Sequence, residues 1–117
     1  MSTLKADTIQ STSGGAATLT KQIAPKTFSV ATADGTTLSD SFNISSLSDD
    51  GTGLQTFSLT NNMSDANYAG IATGKDSNIG IVTDSHAVGS YRTACRRFSD
   101  QALVDNSTQT SAIGDLA

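Results

Sequence analysis

The chain has 117 residues, 36% of them apolar, and contains neither Trp nor Glu. Its net charge of −4 comes from scattered Asp residues, so it lacks the clustered basic face that nucleic-acid binding requires. No apolar run approaches the roughly 20 residues that cross a membrane, and the N-terminus lacks the apolar region of a signal peptide. We therefore expect synthesis in a cytoplasm, without membrane insertion or export by that route. Ser, Thr, Asn, Asp and Gly replace the good helix formers, which predicts an almost all-β chain of short strands.

Residues 1–25 form a segment that differs from the rest of the chain. Apolar and polar residues alternate on both sides of the small, flexible run 11–15, which predicts a strand, a Gly-rich turn and a second strand. Such a segment has too little apolar area to stand alone and would lie on another chain or protein. A disordered terminus is the alternative. The candidate trimer or anchor contacts are Leu4, Ile9, Leu19 and Ile23, and Pro25 marks the boundary.

Two Asp-Gly pairs predict hairpins, because such turns need the positive φ that Gly adopts at little cost. Phe28 and Val30 alternate with small residues up to the first pair, Asp34-Gly35. The second pair lies inside a palindromic apolar pattern. A fold between Asp50 and Gly51 pairs Leu47 with Leu54, Ile44 with Phe57, and Phe42 with Leu59.

One detail of this hairpin leaves two interpretations open. Ile44 and Leu47 have opposite parity, and so do Leu54 and Phe57. Either both strands show apolar groups on both faces, or residues 48–53 form a wider loop with bulged flanks.

Further strands are predicted along the rest of the chain. Strands are expected in 55–63, 68–73, 79–83, 91–98 and 108–113, with residues 84–90 as a loop. Turn signals recur about every 8–12 residues, which is typical of an antiparallel sandwich or barrel. Few large apolar groups would leave a thin core, so we expect the chain to gain buried area by oligomerising.

The search for catalytic or metal-binding residues yields weak candidates. His86 follows Asp84-Ser85, but adjacent residues of one loop cannot form a triad among themselves, so an exposed loop histidine is expected. The Asp-rich run 49–53 could bind calcium but does not match the EF-hand spacing. Cys95, the single cysteine, is expected to be a small buried residue. We predict no catalytic residue, metal or cofactor.

A small basic cluster is the candidate binding surface. Arg and Tyr side chains can contact anions or sugars, and the cluster consists of Tyr91, Arg92, Arg96 and Arg97. A solvated strand, or pairing of these cations with Asp residues, is the alternative.

Several stretches resemble the tail-fibre-like proteins of marine bacteriophages. The opening residues 1–10 with Gly14-Gly15 are similar to the N-terminus of those proteins, and residues 112–117 are similar to their last strand. The resemblance to their repeating core lies in residues 42–46, 50–53, 57–61 and 65–69. Residues 84–106 depart from the pattern, because 91–98 is unusually basic.

The resemblance implies a structural virion protein and not an enzyme. It implies an all-β homotrimer, with residues 1–25 as a stalk or anchor on other virion proteins and residues 26–117 as an antiparallel β-sandwich head. The head would contribute to host attachment through a surface glycan or protein. A capsid decoration protein or head fibre is one alternative. A free carbohydrate-binding β-sandwich is another, although the chain offers few aromatic platforms.

Overall fold

A computed structural model describes residues 12–14 and 25–115 of the chain. The described residues form eight strands and no helix: β1 (Pro25–Ala31), β2 (Leu38–Phe42), β3 (Ile44–Gly51), β4 (Leu54–Leu59), β5 (Ala69–Gly74), β6 (Ile79–Ala87), β7 (Ser90–Arg97) and β8 (Thr108–Ile113). This confirms the predicted all-β class. Within these ranges, no helix has the length and apolar character to cross a membrane. The candidate contacts Leu4, Ile9, Leu19 and Ile23 lie outside the described residues.

The strands form two four-stranded antiparallel sheets, which confirms the predicted sandwich. The first sheet has the order β2-β1-β8-β5 and the second has the order β3-β4-β7-β6. Pro25, the predicted boundary, is the first residue of β1. The chain passes between the sheets after β2, after β4, after β5 and after β7, so each sheet combines strands from distant parts of the sequence.

The first crossing between the sheets depends on Asn43. This residue has a φ of 58°, which Asn adopts more readily than most residues, and it separates β2 from β3. Its Nδ2 donates to the carbonyl of Asn61 at 3.1 Å, and its Oδ1 accepts from the Asn61 backbone N–H at 2.7 Å. Because the chain changes sheet here, Phe42 pairs with Phe28 in the first sheet. The predicted pairing of Phe42 with Leu59 is therefore wrong.

The β3–β4 hairpin forms, but its register differs from the palindromic one. Leu47 lies opposite Phe57, and Ile44 lies opposite Leu59. The predicted pairs of Leu47 with Leu54 and of Ile44 with Phe57 are thus wrong. Bulges between Ile44 and Ser46 and between Asp49 and Gly51 shift the ladder, but residues 48–51 stay paired with β4, so the wider loop over 48–53 does not form.

The turn of this hairpin lies later than the predicted Asp-Gly step. Gly51 and Gly53 both have positive φ, at 120° and 71°. A Cβ on Gly53 would lie 2.8 Å from the carbonyl oxygen of Cys95 and 2.9 Å from the backbone of Val104. Only glycine therefore fits at this position, and the close approach places the turn at Thr52-Gly53.

The remaining elements follow the predicted pattern with two exceptions. The strand expected over 55–63 is shorter, because β4 ends at Leu59. Strand β8 has the predicted bounds, and the first Asp-Gly pair lies in the turn between β1 and β2. The expected loop at 84–90 is wrong, because β6 continues to Ala87. A bulge between Asp84 and Ala87, with Ser85 at a φ of 49°, lets the strand keep pairing with β7.

The apolar core between the sheets is small. Phe57 of β4 and Tyr91 of β7 are fully buried, and their rings stack with centroids 5.3 Å apart. The other members of the buried cluster are Ala31, Leu59, Met63, Tyr68 and Ala112. Large apolar side chains therefore fill only part of the space between the sheets.

Candidate functional site: an apolar sheet face

Hydroxyl groups occupy the part of the interior that apolar side chains do not fill. The Tyr91 hydroxyl lies 2.6 Å from Thr110 Oγ1, which lies 2.6 Å from Ser29 Oγ. This chain of three hydroxyls connects β7 of the second sheet with β8 and β1 of the first. All three residues are buried, so each hydroxyl depends on its neighbours for hydrogen bonds.

A second polar connection joins the sheets around Gln55. Thr108 Oγ1 donates to Gln55 Oε1 at 2.8 Å, and Gln55 Nε2 donates to the carbonyl of Thr32 at 3.0 Å. Thr27 Oγ1 accepts from the backbone N–H of Ala112 at 2.9 Å. The inward positions of β1 and β8 thus hold mainly Thr and Ser, and their polar groups are paired rather than left without partners.

The exterior also carries several large apolar side chains. Three of the four Phe residues are exposed, Phe28 at 42%, Phe42 at 58% and Phe98 at 63%. Ile71, Val82 and Val88 are exposed as well. An apolar surface next to a hydroxyl-rich interior is the reverse of the usual distribution in a stable monomer.

Part of this surface is contiguous and crosses the whole first sheet. Phe42 is the cross-strand partner of Phe28, Phe28 also faces Ser111 of β8, and Ser111 faces Ile71 of β5. We call these four residues the apolar row. Since direct cross-strand partners lie on one side of a sheet, the row spans three strand spacings, about 14 Å.

The rest of this outward side of the first sheet is weakly charged. Its other residues, identified by parity and register, are Lys26, Val30, Asp40, Ala69, Thr73, Gln109 and Ile113. Together with the apolar row they form what we call the apolar face. It carries one Lys and one Asp, so its formal charge is zero, whereas the whole chain carries −4.

The predicted contact residue Tyr91 does not reach the surface. Its side chain is fully buried between the sheets and its hydroxyl bonds to Thr110. The prediction that Tyr91 belongs to a binding surface is therefore wrong. At this strand position the ring points inward and stacks on Phe57, with the ring centroids 5.3 Å apart.

Arg92 is engaged within the chain. Its Nε and Nη2 donate to the two carboxylate oxygens of Asp84 at 2.9 and 3.1 Å. The hydrogen bond from Arg92 holds the pKa of Asp84 below its ordinary value, and Asp84 in turn raises the pKa of Arg92. Both side chains are more than one-third exposed, so solvent screens the pair.

Arg96 and Arg97 are exposed at the end of β7 and also contact neighbouring groups. Arg96 Nη1 donates to the carbonyl of Gln101 at 2.9 Å, and Arg97 pairs with Asp100 at 2.9 Å. The structure thus brings the three Arg residues onto one strand, but it does not gather them around a common acceptor.

His86 is not the exposed loop residue that was expected. It lies on β6, is half-buried, and stacks on Tyr68 with ring centroids 4.7 Å apart. Its Nε2 is buried and has no hydrogen-bond partner among the described residues. The Tyr68 hydroxyl donates toward the carbonyls of Ala87 and Ser90, and burial raises the pKa of Tyr68 to about 12. These contacts connect Tyr68, which directly precedes β5, to the β6–β7 hairpin, so Tyr68 and His86 have a structural role.

The Asp-rich turn uses its carboxylates for local hydrogen bonds. Asp49 Oδ1 accepts from the Gly51 N–H at 2.9 Å, and Asp50 accepts from the hydroxyls of Ser48 and Thr56. Within 12–14 and 25–115, no group of three or more His, Cys or Asp residues could hold a metal ion. Cys95 is buried, as expected, and burial raises the pKa of its thiol.

The apolar face was not recognised from the sequence, although a signal for it exists. Both β1 and β8 carry Thr or Ser with Ala at alternate positions, the small side chains that point inward here. That pattern identifies the opposite parity, which includes Phe28, as the outward side.

Comparison with protein-family profiles, curated proteins and solved structures finds no significant match to this chain.

Proposed function

We propose that this chain is a structural bacteriophage virion protein, a short homotrimeric tail fibre that contributes to host attachment. In this proposal, residues 1–25 bind other virion proteins and residues 26–117 form the outward head. No residue performs bond chemistry. The protein would be made in the host cytoplasm and would reside in the virion.

The observation that carries this proposal is the inverted distribution of apolar side chains. A sandwich whose interior is rich in Thr and Ser, and whose surface exposes Phe28, Phe42 and Phe98, gains buried apolar area when copies associate. Repeated assembly of one small polypeptide around an axis is what a fibre requires. The resemblance of the sequence to tail-fibre-like proteins favours the same role.

The host contact in this proposal involves the exposed basic residues. Arg96 and Arg97 lie near the end of β7, where their charged groups are open to solvent. Three copies of such a weak contact would act together and give useful avidity. A free carbohydrate-binding module would need exposed aromatic rings to stack on a sugar. Tyr68 and Tyr91 do not provide them, because both rings are buried.

Immunogold electron microscopy of phage particles that carry the gene tests the proposed location. An antibody raised against residues 26–117 should label the tail tip at a few copies per particle. Dense label over the capsid would support a decoration protein instead, and unlabelled particles would contradict any virion role. A chain that lacks residues 1–25 should remain folded but should not join the particle, and its full incorporation would refute the anchor.

A further inference from the structure

We infer that the apolar face is the surface by which copies of this chain bind one another, with Phe28 near the centre of the contact. The occupant of the face is thus a second copy of the same chain. The number of copies, three, rests on the proposed function. The contact itself follows from the residues of the first sheet.

The exposed apolar area is large enough to act as the centre of an interface. An aromatic side chain presents about 150–250 Å², so Phe28 and Phe42, at 42% and 58% exposure, together expose roughly 200 Å². Ile71, at 53% exposure, extends the same row. Contiguous apolar patches of a few hundred Å² on a protein surface are often functional. A standard interface covers about 800 Å² per partner, so the row supplies its apolar centre and the polar residues around it supply the rim.

The neutral charge of the apolar face favours a second copy of the chain over a cationic or anionic partner. Each chain carries a net charge of −4, so two copies repel one another through most of their surfaces. The apolar face carries only Lys26 and Asp40, on opposite sides of the row, and is neutral. It is therefore a side on which two copies can meet without like-charge repulsion, and it has no excess charge to attract a charged ligand.

The interior explains why the contact would be stable. The inward side of β1 and β8 holds Thr27, Ser29, Thr108 and Thr110, so the first sheet buries few large apolar groups on that side. Association through the outward side gives the same two strands a second, apolar layer. Phe28 lies on the central strand β1, between β2 and β8, so it contributes to such a layer from its middle.

The mass of full-length variants tests this contact. Phe28→Asp places a charge in the row and should reduce the assembly to the mass of one 12.0 kDa chain at micromolar concentration. Phe98→Asp is the matched control, because Phe98 is more exposed but lies outside the first sheet, and it should keep the wild-type mass. Ile71→Asp, on the edge strand β5, should act like Phe28→Asp. Circular dichroism establishes that each variant is folded.

Cross-linking distinguishes a second copy from other coverings of the face. Ser111→Cys places a thiol inside the row, whereas Val82→Cys places one on the exposed side of β6 in the second sheet. Cys95 is buried and should not compete. With a short bis-maleimide reagent, the Ser111→Cys chain should yield covalent multimers and the Val82→Cys chain should remain single.

The outcomes separate this inference from the proposed function. If the wild-type chain is an oligomer but Phe28→Asp and Ile71→Asp leave its mass unchanged, copies meet elsewhere and only this inference fails. Oligomers without cross-linked Ser111→Cys also overturn it, because the face is then covered by another part of the chain or by nothing. If the wild-type chain is a folded monomer, the homotrimeric fibre fails as well.

Discussion

Replacement of Thr110 by Val should destabilise the sandwich more than replacement of either of its partners. Thr110 Oγ1 lies between Tyr91 and Ser29, 2.6 Å from each hydroxyl, and all three residues are buried. Valine keeps the branched shape that suits β8 but removes the shared oxygen. Both outer hydroxyls then lose their partner at the same time.

The expected magnitude follows from the cost of buried polar groups without partners. Each such group costs about 1–3 kcal/mol, so Thr110→Val, which leaves two of them, should lower the free energy of unfolding by about 2–6 kcal/mol. Tyr91→Phe leaves Thr110 bonded to Ser29 and keeps the stack on Phe57, so it should cost about 1 kcal/mol. The triple variant Ser29→Ala, Tyr91→Phe, Thr110→Val removes every member of the network and should cost less than Thr110→Val alone.

Equilibrium denaturation in urea measures these differences, at one fixed protein concentration because assembly also contributes to stability. The informative quantity is the order of the variants rather than any one value. A triple variant that loses as much as the single changes combined would refute the network, since three independent hydroxyls would behave in that way. A Thr110→Val loss below about 0.5 kcal/mol would refute it too.

Three further predictions concern other parts of the sandwich. Arg92 lowers the pKa of Asp84 below 3.8, so the ion pair stabilises the fold above that pH and its contribution is lost as the pH falls. Asp84→Asn should therefore flatten the decline of Tm between about pH 5 and about pH 2. A decline with the same slope as in the wild-type chain would contradict this. Gly53→Ala should lower the free energy of unfolding by about 2–4 kcal/mol in chemical denaturation, because its Cβ would lie 2.8 Å from a backbone oxygen. The Cβ of Gly51→Ala meets open space, so that variant should lose only about 1 kcal/mol. Equal losses in the two variants would count against the tight turn. Cys95 is buried, and burial raises the pKa of its thiol. Alkylation of Cys95 at pH 8 should therefore be on the order of 100-fold slower in the native chain than in the unfolded chain. Equal rates would show that the thiol is accessible.

Local patterns predicted the strands well because they depend on neighbouring residues. Alternation and turn residues identified β8 to the residue and located the turn at Asp34-Gly35. The symmetry of apolar residues around Asp50 suggested a register that the chain does not adopt. The close approach of Gly53 to Cys95, 42 positions away, decides where that hairpin turns, and a distant contact of this kind has no local signature.

The side of the sheet on which each side chain lies was harder to predict than the location of the strands. Tyr91 and Arg92 are neighbours in sequence, but neighbours in a strand point to opposite sides, so the ring is buried while Arg92 is not. Arg97 has the same parity as Tyr91 and is exposed at the end of β7. Phe42 was expected to pair with Leu59 rather than with Phe28. The pairing of β1 with β2 places Phe28 beside Phe42, and the pairing of β1 with β8 aligns Phe28 with Ser111, 83 positions away.

The central claim is that one copy of this chain relies on others for its buried apolar area. Sedimentation equilibrium of the full-length wild-type chain, from micromolar to nanomolar concentration, measures this most directly. We predict a mass three times the 12.0 kDa of one chain at micromolar concentration, and a lower free energy of unfolding where dilution separates the copies. A single, folded 12.0 kDa chain that keeps its β circular dichroism throughout the dilution would contradict the account.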